Sequence, residues 1–126
     1  WMPQGTATVA TDRLSAWSKR RIGDLSCGER RFLEIAMLLG LKRNYVLLDE
    51  PFTGIEPKYI QEISDLLRDA AAAGAGLLVT DHYHRYLLPL CNDLVVLSGG
   101  YCTILDPAEP YSSQLQQWGY LQGHVP

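Results

Sequence analysis

Tyr45-Val46-Leu47-Leu48-Asp49-Glu50-Pro51 decides how this chain is read. A short apolar run that ends in two adjacent carboxylates reads as a buried strand whose acidic end opens onto a loop. About twenty residues upstream, Leu25-Ser26-Cys27-Gly28-Glu29 is a small-residue turn opening a helix. A helix N-terminus presents unpaired N–H groups and partial positive charge, worth roughly 0.3–1 kcal/mol per anionic contact at an exposed site. Downstream, Leu77 to Thr80 is a second apolar strand followed by Asp81-His82. In a doubly wound sheet, ligands bind beyond the carboxyl ends of parallel strands. That rule places Asp49-Glu50 and Thr80-Asp81-His82 on one edge, with their side chains toward a common ligand. Two buried neighbouring carboxylates repel unless a cation or hydrogen-bond network offsets their charge, and a magnesium ion with a polyphosphate would do so.

The remaining elements follow from periodicity. Residues 1–24 mix Gly, Thr, Ser and charge, which gives a loop and one short helix near Thr11 to Lys19. From Ser26 the pattern is helical, with Phe32, Leu33, Ile35, Ala36, Leu38 and Leu39 apolar almost all round, so a deeply packed helix ending near Gly40 is expected. Pro57 suits a first helical turn. Ile60, Ile63, Leu66, Leu67 and Ala70 then recur at helical spacing opposite Lys58, Glu62, Asp65 and Asp69, up to a stop near Gly74. Tyr83 to Cys91 reads as another helix and Leu94 to Leu97 as a third strand, a βαβαβ order that predicts a parallel sheet. Ser98-Gly99-Gly100 is a tight-turn signal, making Tyr101 to Leu105 an antiparallel edge partner, and Pro107 to Trp118 reads as a last helix.

Composition narrows the function classes. At 126 residues the chain can bury one modest core, and a net charge of −3 argues against a dominant nucleic-acid surface. The basic cluster Lys19-Arg20-Arg21 with Arg30-Arg31 reads as a solvated face. Cys27, Cys91 and Cys102 have no C-x-x-C spacing and an odd count, which fits reduced thiols acting as small hydrophobes. The longest apolar runs fall well short of the roughly twenty residues that span a bilayer. Trp1, with no leading methionine and no strand and helix pattern before the first motif, sets the expectation of further sequence upstream.

Taken together, these motifs resemble the ATP-binding cassette (ABC) ATPases, whose signature is L-S-G-G-Q and whose Walker B strand ends in Asp-Glu. Ser26-x-x-Glu29 ahead of an apolar run is also an ordinary capping box, and the Walker B strand at the family's spacing is what favours the signature. No G-x-x-x-x-G-K-[ST] phosphate loop occurs in the chain. The resemblance implies roles residue by residue. Asp49 holds Mg²⁺, largely through water as a strongly hydrated cation prefers. Glu50 is the general base for the water that attacks the γ-phosphate, and His82 is the switch histidine that contacts that phosphate. Ser26, Cys27, Gly28 and Glu29 close over ATP held by a second subunit. Cys27 stands where glycine is usual, and either narrows the approach to phosphate or is tolerated because its backbone is ordinary. Glu29 for Gln puts negative charge near the nucleotide. Thr53-Gly54-Ile55-Glu56 occupies the place of the D-loop, with Glu56 for the usual aspartate. Met2-Pro3-Gln4 resembles the Q-loop, so Gln4 is a candidate for Mg²⁺ and nucleotide. Only about twenty residues separate it from the signature, so the family's helical subdomain is either abbreviated or partly missing from this chain.

The expected fold class is α/β, a partial P-loop NTPase-like three-layer fold with a mainly parallel sheet and an antiparallel edge hairpin. Residues 1–24 are expected to be a remnant of the Q-loop and helical-subdomain region, 25–105 the C-terminal part of an ABC ATPase domain, and 106–126 a C-terminal helix and tail. The implied function is part of the ATP-binding subunit of an ABC transporter, with ATP and Mg²⁺ as cofactors. Its implied partners are a second nucleotide-binding domain and transmembrane subunits, with no nucleic acid, at the cytoplasmic face of the membrane. Lacking a phosphate-loop lysine, the chain alone is expected to be inactive. The alternatives are a truncated, non-catalytic cassette that pairs with a complete one, and a soluble ATPase of the same superfamily.

Overall fold

In the computed structural model, residues 6–119 are described, with side chains from Asp12 onward; Gln4 and His124 lie outside them. Two units divide between Tyr86 and Leu87, and each is considered by itself.

The first unit begins with helix α1 (Thr6–Trp17), which starts earlier and ends sooner than the expected 11–19. Its last turn closes through Arg20 N–H donating to the Trp17 carbonyl at 2.8 Å. The anchor is Trp17, buried edge-on against Phe32 at 5.8 Å between ring centroids. Phe32 lies on helix α2 (Cys27–Gly40), where Phe32, Ile35 and Ala36 are buried. The expected packing on all sides is not observed. Met37 is 65% exposed, while the face carrying Phe32, Ile35 and Ala36 meets Trp17 of α1 and packs on a neighbouring helix.

That neighbour is helix α3 (Pro57–Ala72), with Pro57 in its first turn as expected. Tyr59, Ile60, Ile63, Leu66 and Leu67 form its buried face, and Gly74 follows at φ +95°, a left-handed stop suited to glycine. Between α2 and α3 runs strand β1 (Tyr45–Asp49), and after α3 runs β2 (Gly76–Thr80). The two are parallel, in a register that pairs Leu47 with Leu78 and Asp49 with Thr80. On one face of the pair Val46 and Leu48 are buried; on the other, Tyr45, Leu47 and Leu78 are exposed by 78, 69 and 61%. Phe32, Pro51, Phe52, Ile63 and Leu67 are the largest fully buried side chains.

Helix α4 (His84–Leu87) is a single turn that passes into a 3₁₀ turn at Leu88–Leu90, not the expected helix from Tyr83 to Cys91. Pro89 supplies no N–H and blocks continuation. Strand β3 (Val95–Ser98) pairs antiparallel with β4 (Tyr101–Ile104), and the two form a sheet of their own. Among the described residues the β1–β2 sheet therefore has no third parallel strand, contrary to the expectation. A parallel neighbour needs a long packed crossover. The interrupted α4 segment is not one, whereas Gly99 (φ +56°) and Gly100 (φ +83°) supply the two-residue turn that gives β3 an immediate antiparallel partner. Helix α5 (Tyr111–Gln117) is shorter than the expected 107–118. It seats Leu115 in a cluster with Leu94, Val96 and Leu105. Cys91 is half-buried, and burial pushes its thiol pKa up. Cys27 and Cys102 are free thiols and exposed, so the expected role of small hydrophobe does not hold for these two.

Candidate functional site

Parallel pairing of β1 with β2 brings both strand ends to one edge. Thr80 Oγ1 donates a hydrogen bond to Asp49 Oδ1 across the paired positions. Glu50 follows at φ +46°, a left-handed backbone for a residue with a side chain, and its N–H donates to the Thr80 carbonyl at 2.8 Å. That turn aims the Glu50 carboxylate back along the edge. Thr53 Oγ1 donates to Glu50 Oε2 at 3.1 Å, and His82 Nδ1 lies 3.8 Å from Glu50 Oε1. His82 stacks at 4.3 Å, tilted by 34°, on Tyr83.

Two expectations are corrected here. Asp49 and Glu50 are exposed, so their mutual repulsion is moderated by water. Asp81 does not face outward with His82; its side chain is 0% exposed. Asp81 Oδ2 accepts the Phe52 N–H at 2.9 Å and Oδ1 accepts the Tyr83 N–H at 2.8 Å.

The Ser26–Glu29 segment is a second, separate group. Ser26 Oγ accepts the Glu29 N–H at 3.2 Å while Glu29 Oε2 accepts the Ser26 N–H at 2.7 Å, a complete capping box. Arg20 Nη1 donates to Glu29 Oε1 at 3.0 Å. The Ser26 amide first, and then the Arg20 guanidinium, hold the Glu29 carboxyl below the usual glutamate range. Glu29's charge is thus already paired. Cys27 begins the helix with an ordinary backbone and an exposed side chain. The amides of Cys27 and Gly28 have no acceptor within the helix, as first-turn amides do not. Gly28 is fixed by packing, since a Cβ there would lie 2.4 Å from Cδ2 of Tyr59. Glu56 caps α3 only through its backbone, and its carboxylate pairs with Lys58 at 3.5 Å.

Sequence reasoning missed Thr80 as Asp49's donor, Asp81 as a buried tie, Arg20 as Glu29's counter-ion and Tyr59 as the reason for Gly28. Thr80 and Asp81 were legible only as members of the strand end beside His82, Arg20 only as part of a basic cluster, and Tyr59 not at all. Among the described residues no three His, Cys, Asp or Glu side chains converge as a metal centre. A cavity of about 220 Å³ lined by Leu39, Arg43, Asn44 and Ala73 lies by the opposite end of β1.

No family model matches the chain. The lipopolysaccharide export system ATP-binding protein LptB of Acidithiobacillus ferridurans is 47% identical over 76 residues, 60% of this chain and 32% of that protein. LptB of Escherichia coli is 39% identical over 77 residues, 61% of this chain and 32% of that one. A probable ABC transporter ATP-binding protein of Azorhizobium caulinodans is 41% identical over 88 residues, 70% of this chain and 31% of that one. A solved ATP-binding cassette of an ABC transporter superposes with a TM-score of 0.70 at 24% identity, over 98% of this chain and 53% of that one. A second, nucleotide-free cassette gives 0.66 at 20% identity, over 90 and 50%. The chain is a relative of the ABC ATPase cassettes. It spans about a third of the length of the curated relatives it matches. Its mixed α/β fold, with one parallel and one antiparallel pair, is that of part of such a cassette. Among the described residues no helix of this cassette relative is long and apolar enough to cross a membrane.

Proposed function

We propose that this chain carries the Walker B, switch and signature elements of an ABC transporter's ATP-binding subunit, with residues 25–105 as the C-terminal part of its ATPase domain. The carrying observation is the edge where Asp49 pairs with Thr80 and His82 Nδ1 lies 3.8 Å from Glu50 Oε1. In this reading, residues 1–24 belong to the Q-loop region and 106–126 form a C-terminal tail.

The donor set fits a hydrated divalent cation. One exposed carboxylate, Asp49, oriented by the Thr80 hydroxyl, suits Mg²⁺, which keeps several waters and takes few protein ligands. When bound, Mg²⁺ would neutralise phosphate charge. Gln4 is the second candidate ligand. In this reading Glu50 is the base that orients the attacking water, which its carboxylate, held from one side by Thr53, supports. In the same reading His82, exposed and adjacent to Glu50, donates to a phosphate oxygen. Ser26, Cys27, Gly28 and Glu29 form an anion-receiving helix start for a nucleotide bound by a second cassette, with Arg20 keeping the Glu29 charge from opposing that anion. Such a subunit works in pairs and drives transmembrane partners from the inner face of a membrane. The relatives named for lipopolysaccharide export make an envelope-lipid exporter the first transporter to pair it with.

The test is ATP turnover by a protein that joins this sequence to a phosphate loop. Glu50→Gln is expected to lower kcat by about 10²–10⁴ while ATP binding persists. Unchanged turnover rejects the role of Glu50. Calorimetric binding of Mg-ATP to the 126-residue chain by itself would mean that the phosphates are held by groups other than those named here.

A further inference from the structure

We infer that Asp81 is a positioning residue, whose buried carboxylate ties the turn carrying Glu50 to the segment carrying His82 so that the two groups keep one spacing. The inference rests on the catalytic reading of Glu50 and His82 given above. It starts from an ionisable side chain which that reading does not use. The Asp81 side chain is fully enclosed, its two oxygens serve two different loops, and Oδ1 also lies 3.9 Å from His82 Nδ1. Oδ2 accepts from Phe52 N–H, two residues after Glu50, and Oδ1 accepts from Tyr83 N–H, one residue after His82. No side chain of the β1–β2 ladder joins those loops, since the Thr80–Asp49 bond lies one residue earlier on each strand.

Both loops are otherwise pinned mainly at their ends. The Glu50 amide is held by the Thr80 carbonyl, and Phe52 is sealed in the core against Tyr86 at 6.3 Å between rings. Neither contact sets the distance from Glu50 to His82. A carboxylate can accept at both oxygens, whereas asparagine offers one acceptor and would turn an NH₂ group toward the other donor. Asp81→Asn must therefore release one loop while nearly preserving volume. A purely structural Asp81 would lower stability and leave the Glu50–His82 spacing unchanged in the folded molecules.

The test uses the 126-residue chain without nucleotide. The His82 ring resonances are recorded at one pH in four proteins: the parent, Glu50→Gln, Asp81→Asn and the double variant. Glu50→Gln is expected to shift the His82 signal in the parent, and that shift is expected to fall at least about threefold in the Asp81→Asn background. Equal shifts in both backgrounds overturn the inference. Amide exchange on the unsubstituted chain decides independently should Asp81→Asn not fold. The Phe52 and Tyr83 amides are expected to be slowed at least about tenfold from their intrinsic rates. Exchange of either at its intrinsic rate overturns the inference. Failure of the ATPase reading would show instead as absent turnover in the phosphate-loop protein, with the Glu50–His82 coupling intact.

Discussion

The ring of Tyr59 occupies the space that a side chain at Gly28 would need, with Cδ2 2.4 Å from the position of a Cβ. Helices α2 and α3 therefore meet at their first turns through a glycine and a tyrosine face. Gly28→Ala is expected to cost about 1–3 kcal/mol, because the Tyr59 ring is itself 3% exposed and cannot move aside freely. Thermal unfolding of Gly28→Ala, Tyr59→Leu and the double variant checks this. A double variant more stable than the sum of the single effects supports the clash, and strict additivity refutes it.

Glu29 should leave a mark on the pH dependence of stability. Its folded-state carboxyl is held below the ordinary range by the Ser26 amide and Arg20. A depressed folded value means that the stabilisation is complete above the unfolded-state value and is lost as pH falls through the folded one. The window therefore lies at and below the ordinary glutamate range. Glu29→Gln keeps an acceptor for the Ser26 amide but does not titrate. Urea midpoints of parent and variant should run apart at neutral pH and converge in acid; a constant offset would remove Glu29 from the account.

Parallel sheets are ordinarily covered on both faces. Here the face bearing Tyr45, Leu47 and Leu78 is open. Replacing Leu47 and Leu78 by threonine, which keeps strand preference, should change stability by no more than about 0.5 kcal/mol per site. The same replacement should reduce binding of an apolar dye and self-association in light scattering. A large stability loss would show that this face is packed in solution.

The legible parts of the chain were those whose pattern is local. Strands β1 and β2 announce themselves as continuous apolar runs, and α3 as a proline-opened amphipathic helix with a glycine stop. Helix α2 misled because a helix apolar almost all round does not say which side has a neighbour, so Leu33, Leu38 and Leu39, expected to be deeply packed, are only half-buried. Pro89 cut α4 to one turn, and with it the crossover that a third parallel strand would need. At the site, the edge shared by Asp49, Glu50 and His82 was legible from strand order. Asp81 was not, because a carboxylate between Thr80 and His82 looks the same in sequence whether it faces a ligand or turns inward to two amides. Arg20 meets Glu29 only through the turn between α1 and α2, and nothing in a nine-residue separation signals that pairing. Gln4 lies outside the described residues.

The left-handed backbone of Glu50 carries a consequence for protein engineering. An L-residue with a Cβ in that conformation costs the fold about 1–2 kcal/mol, which glycine largely escapes. Glu50→Gly should thus abolish a carboxylate's chemistry while raising the melting temperature, whereas Glu50→Val should lose both. Selection for thermostability alone would favour glycine at position 50, as it would at Lys42 with its φ of +53°, and a library screened only for folded, soluble protein would discard the residue on which turnover is proposed to depend.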